Sequence, residues 1–180
     1  MGSLCAADPV EVAERLAEVL REEQADVLVA DDRHGGYGHP DHRRVHEVAA
    51  AAARLVEVVF FEATVDREFL AGGVALAESV GLAVPEGFVP PDVSEWYTPA
   101  AEITHAIDVT GMLDAKRASM RAHASQATGA PDTVRTLAVF LELPDEVFAL
   151  AFGTEWFTRR GAPTEPRATD LFADLPVDRS

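Results

Sequence analysis

The first clear signal in the chain is helical. Asp8 stands where an N-cap belongs, Pro9 at the first helical position, and Glu11 where a capping box places its acid. Val12, Leu16, Val19 and Leu20 then fall on one face, with Glu14, Arg15, Glu18 and residues 21–23 around the other. The pattern changes at Asp26–Asp31, a short apolar run that ends in acids. Such a run predicts a buried parallel strand whose C-terminal end opens into a polar loop. A loop rich in Gly and His follows from Asp32 to Pro40. A second helix is expected over Asp41–Leu55, with an alanine-rich face, and a second strand over Val56–Phe61.

Further on, the pattern predicts a helix over Asp66–Ser79 and an irregular loop or lid over Val84–Pro99, which carries Pro85, Pro90, Pro91 and Pro99. A strand is expected at Ile103–Val109, helices at Leu113–Gln126 and Asp132–Phe140, a helical turn from Pro144, and a late strand at Phe152–Arg159. From Gly161 the chain reads as a loose tail. The order helix, strand, polar loop, helix, strand predicts an α/β protein with a parallel sheet, one domain over residues 1–160 and a tail over 161–180. In that architecture ligands bind outside the carboxyl ends of the strands, which is where the His/Gly loop falls.

Composition narrows the function classes. The 180 residues hold 31 acids against 15 Lys plus Arg, a formal charge of −16, which argues against nucleic-acid or anionic-membrane partners. No apolar run approaches the roughly 20 residues of a membrane span. Cys5 is the only cysteine, so internal disulfides and thiolate metal clusters are excluded, and the cytosol is the simplest compartment. A homo-oligomer is compatible with this composition.

Four of the six histidines, His34, His39, His42 and His46, lie within thirteen residues, interleaved with Asp31, Asp32, Tyr37 and Asp41. Imidazole and carboxylate are the usual ligands of catalytic zinc, which takes three of them plus water. Pro40 fixes the backbone as it leaves the loop, Asp41 can cap the helix that begins there, and His42 would sit in its first turn. His46, four residues later, shares that face but is more often a packed or supporting histidine. His34 is expected at the surface. The plain alternative is a polar loop of solvated or hydrogen-bonded histidines.

The string Gly35-Gly36-Tyr37-Gly38-His39-Pro40-Asp41-His42 resembles the second signature of the LmbE/PIG-L family of zinc-dependent deacetylases. The likeness extends to residues 62–68, to the helix carrying Lys116, Met120, His123, Ser125 and Gln126, and to Glu155-Trp156-Phe157 with Arg159-Arg160-Gly161. It implies a Rossmann-like fold and zinc-assisted hydrolysis of an N-acetyl group on a small amino-sugar substrate. By this resemblance His42 is the zinc ligand, and His39 assists the oxyanion or the leaving amine. Tyr37 reaches the same oxyanion, and Asp41 orients a histidine. Lys116, His123 and Gln126 line the pocket or else form a polar helix face. The chain's strong arginine bias points to a substrate of the mycothiol-pathway type.

The family's first signature, an Ala-His-Pro-Asp-Asp-Glu string with further zinc ligands and the base, does not occur in this sequence. The expected sheet is therefore incomplete at its N-terminus and the expected zinc site short of ligands. This chain alone would then bind zinc weakly and turn over little. A non-catalytic remnant that binds a sugar or a protein, and a metal-binding α/β domain serving another hydrolysis, are the alternatives.

Overall fold

The computed structural model describes residues 4–79, 92–127, 135–173 and 175. The chain forms two compact units, one of residues 1–72, 92–107 and 156–180 and the other of residues 73–91 and 108–155. In the first unit, helix α1 (Pro9–Glu22) begins as its sequence dictates, with the Asp8 carboxylate accepting the Val10 N–H at 2.9 Å. Strand β1 (Val27–Asp31) leads through the glycine loop to helix α2 (Pro40–Val56), which returns to strand β2 (Val59–Thr64).

The second strand was expected from Val56, but the helix runs to that residue. Glu57 then takes a left-handed conformation (φ 57°) that caps it, so the strand starts at Val59. Helix α3 (Arg67–Ser79), strand β3 (His105–Asp108) and strand β4 (Thr154–Thr158) complete the elements around the sheet.

The sheet order is β1-β2-β4-β3. β1 and β2 pair in parallel, Val27 opposite Val59 and Asp31 opposite Ala63, so their carboxyl ends finish together. The α/β class is as expected, but the sheet is mixed. β4 runs antiparallel to β2, with Glu62 opposite Thr158 and Thr64 opposite Trp156. An apolar run reads the same whichever way its neighbours point, so the pattern carried no direction.

The stretch from Gly161 does not hang free at its middle. The Ala168 N–H donates to the Thr104 carbonyl and the Ala106 N–H to the Ala168 carbonyl, both at 2.9 Å. The Arg167 guanidinium lies 3.4 Å from the Asp66 carboxylate.

The second unit holds the short helices α4 (Leu113–Ala122), α5 (Ala124–Ala127), α6 (Thr136–Leu141) and α7 (Asp145–Phe152). The single helix expected over Leu113–Gln126 is broken at His123, whose ψ of 56° leaves the helical region. Arg117 ties the unit together. It donates to the Leu141 and Leu143 carbonyls at 3.1 and 2.9 Å, and its guanidinium lies 3.8 Å from the Phe148 ring centroid. Within the expected lid, residues 84–91 lie outside the described residues, as do residues 132–134 of the expected later helix. No described helix is long and apolar enough to cross a membrane.

The core between α1 and α2 is a seam of small residues. Ala13, Ala17 and Leu20 of α1 pack against Val48 and Ala52 of α2, with Leu28, Val56 and Val58 around them. Ala17 and Ala52 are wholly buried, and their size sets how closely the two helices approach. Ala52→Leu should therefore lower stability by about 1–3 kcal/mol through overpacking, read as a drop in the urea midpoint at unchanged m value.

Candidate active site

The site is built where β1 ends. Asp32 is fully buried, and its carboxylate accepts the Gly36 N–H at 3.0 Å and the Thr64 hydroxyl from the end of β2. That hydroxyl also lies 3.0 Å from the hydroxyl of buried Thr98, and the Asp32 carbonyl accepts the Gly35 N–H at 3.0 Å. A buried carboxylate must be satisfied, and here the partners are the loop itself and the neighbouring strand. The fold back requires φ of +71° at Gly35 and +60° at Gly36. A Cβ on Gly35 would lie 2.8 Å from the His39 carbonyl oxygen and 2.9 Å from the Arg43 nitrogen, so only glycine fits.

The loop delivers His39 to the start of α2. The helix was expected from Asp41 with that carboxylate as its cap. Instead Pro40 takes the first helical position and His39 is the N-cap, its Nδ1 accepting the Asp41 N–H at 3.1 Å. A ring nitrogen that accepts from a backbone N–H carries no proton, so in the neutral ring Nε2–H is the free group and a donor. His42, in the first turn as expected, is held the other way round. Its Nδ1 lies 3.1 Å from Asp31 Oδ1, so Nδ1 carries a proton, and in the neutral ring the Nε2 lone pair is the free group. The two rings are 5.1 Å apart between centroids. Tyr37, 48% exposed, stands edge-on to both, at 5.8 Å from His39 and 5.3 Å from His42.

Two neighbouring imidazoles are thus fixed as opposite tautomers, one presenting a donor and the other a lone pair. The carboxylate that orients a histidine is Asp31, whereas the expected one was Asp41. The Asp41 side chain accepts the Cys5 thiol at 2.9 Å, which holds this carboxyl below its usual range and the thiol above its own. His46 lies 3.2 Å from the Asp31 carbonyl through Nδ1 and 3.9 Å from Glu62. His34, expected at the surface, is half-buried, and desolvation lowers its pKa. A cleft of about 490 Å³ opens past Glu62, lined also by Arg33, Glu102, Thr158, Arg159 and Arg160.

The sequence placed Asp31 and Asp32 among the clustered histidines, at the carboxyl end of the expected strand, but assigned them no role in the site. Sequence reasoning passed over Trp96 and Tyr97, which no local signal picks out. Lys116 and His123 belong to the second unit. The Lys116 ammonium sits 3.0 Å from the Phe152 carbonyl and 2.8 Å from Glu155. His123 Nδ1 lies 2.9 Å from the Ser119 carbonyl. Gln126 falls within α5, and its side chain lies outside the described residues.

Among the described residues, no group of three or more His, Cys, Asp and Glu is placed to hold a metal ion. His42, with an orienting carboxylate behind it, has the form of one metal ligand. A catalytic zinc takes three protein ligands, so the described residues do not make that site.

Long-range nitrogen–proton NMR at neutral pH should show His39 as the Nε2–H tautomer and His42 as the Nδ1–H tautomer, and Asp31→Ala should remove the preference at His42 alone. Cys5 should react with iodoacetamide more slowly at pH 8 than a model thiol. Asp41→Asn should speed it, because removing the negative acceptor lowers the thiol pKa and raises the thiolate fraction.

No protein-family model matches the chain. It is 36% identical to a 1D-myo-inositol 2-acetamido-2-deoxy-alpha-D-glucopyranoside deacetylase of Kineococcus radiotolerans, over 96% of the chain and 53% of that protein. Proteins of the same name from Saccharomonospora viridis and Nocardia farcinica are 36% and 39% identical, each over 92% of the chain and 59% of the relative. The chain spans a little over half the length of these curated relatives. Over almost all of its own length, the chain is similar to part of these actinobacterial deacetylases.

Proposed function

We propose that this chain supplies the donor half of an N-deacetylase site that hydrolyses the acetamide of a glucosaminyl–inositol substrate with zinc as cofactor. The reading rests on the opposed tautomers of His39 and His42. In amide hydrolysis, charge develops on the carbonyl oxygen and the leaving nitrogen must gain a proton. His39 Nε2–H points a donor at that charge and can pass its proton to the amine, while its Nδ1 stays on the Asp41 N–H. Tyr37 adds a hydroxyl donor from the open side. His42 offers Nε2 to a metal, and Asp31 holds its ring. When bound, zinc would polarise the substrate oxygen and acidify a water. His42 would be one ligand toward it. The sequence likeness to deacetylases named for a GlcNAc–inositol substrate supports the substrate class. The lack of a three-ligand cluster among the described residues favours a second reading, in which the chain binds the sugar without turning it over.

Both readings meet in one experiment. The purified chain should retain zinc substoichiometrically after gel filtration and release no detectable amine from the N-acetylglucosaminyl–inositol compound. Equimolar tight zinc with robust turnover would contradict this. The chain should then be fused to the part of the Nocardia farcinica relative that it does not match. In that fusion, His42→Ala should lose zinc, whereas His39→Ala should keep zinc and lose about 10²–10⁴-fold in rate. A fusion that binds sugar but never hydrolyses it selects the second reading. Full rate and full zinc in both variants would sink the deacetylase assignment.

A further inference from the structure

Trp96 is one of two tryptophans in the chain and lies outside the hydrophobic core. Trp156 is 8% exposed and packs on Phe69 at 5.0 Å, whereas Trp96 is half-buried with its ring edge-on to Tyr37 at 6.0 Å. Tyr37 in turn touches both site histidines, so the indole extends the same cluster by one ring.

The backbone beneath it is unusually constrained. Arg67 donates to the Trp96 carbonyl at 2.7 Å and to the Tyr97 carbonyl at 2.8 Å. The Tyr97 N–H donates to the Gly36 carbonyl at 2.8 Å, tying this segment to the loop that carries Tyr37 and His39. Tyr97 itself has φ of +49°, a conformation costly for a bulky residue, and its ring lies against Gly36, where a Cβ would meet it at 3.3 Å. Strain of this kind persists where the surroundings over-determine it and collects at ligand clamps.

We propose that Trp96 is a stacking platform for the sugar ring of the substrate, held in place by the Arg67 clamp and the left-handed turn at Tyr97. A pyranose presents C–H groups on its face and hydroxyls around its rim, so it packs flat on an aromatic plane while the rim stays wet. A platform fixed before binding costs little ordering entropy. Its adjacency to Tyr37 would set the acetamide of the stacked ring beside the His39 donor. The assignment deepens the deacetylase reading and rests on it for the choice of sugar.

The test uses methyl 2-acetamido-2-deoxy-α-D-glucopyranoside as probe and acetamide as control. In the wild-type chain, the indole N–H signal that vanishes in Trp96→Phe should shift saturably with the glycoside. The Trp156 signal should not move, and acetamide should move neither. Trp96→Ala should weaken glycoside binding about tenfold, followed at the His39 resonances, and Trp96→Phe should keep most of it. An unmoved Trp96 signal overturns the platform, as does unchanged affinity in Trp96→Ala. If the platform binds glycoside while the fused His39→Ala variant keeps full rate, the catalytic reading falls and the platform stands. The reverse pattern separates them the other way.

Discussion

The buried carboxylate of Asp32 is the constraint on which the rest of the site depends. It sits where water cannot reach it, so its oxygens must be satisfied by the protein, and they are satisfied by Gly36 N–H and the Thr64 hydroxyl. These two hydrogen bonds join the end of β1 to the end of β2 and pull the glycine loop back over both. Because the strands are parallel and end in register, one carboxylate can serve loop and neighbouring strand together. The left-handed glycines follow from that closure, and so does the position of His39 at the first turn of α2.

From there, chemical difference arises between two like residues. His39 and His42 are three positions apart and share a helix start, yet one ring accepts a backbone N–H and the other faces a carboxylate. The helix supplies the first partner and the strand end the second. A donor and a lone pair therefore stand side by side without any difference in residue type. Tyr37 covers the pair from the solvent side, and its contact with Trp96 joins the cluster to the segment that Arg67 holds. The second unit has its own organisation around Arg117, and Lys116 and His123 are engaged within it.

Much of the site's location was legible in the sequence. The apolar run ending in Asp31, the glycines after it and Pro40 place the histidines at the carboxyl end of a strand and the start of a helix. What was not legible was partnership. Asp41 looked like the cap because it stands near the helix start, and the family likeness made it the orienting carboxylate. Pro40 moved that start back by one residue, which gave the cap to His39 and turned the Asp41 side chain toward Cys5. The orienting carboxylate instead came from Asp31, on the strand.

By itself the sequence determined those features that depend on neighbours within about one helical turn. These are the Asp8 cap, the two amphipathic helices, the strand–loop–helix–strand order of β1, α2 and β2, and the glycine-histidine string with its family likeness. The tertiary structure alone decided the antiparallel run of β4, the contact of Cys5 with Asp41, the Asp32–Thr64 bond across the sheet and the strained turn that brings Tyr97 onto Gly36. The reason is physical. Capping and periodicity are satisfied by residues a few positions apart, whereas a buried carboxylate or a strand edge takes whichever partner the folded chain brings to it. In Asp32 and Thr64, those partners lie 32 positions apart.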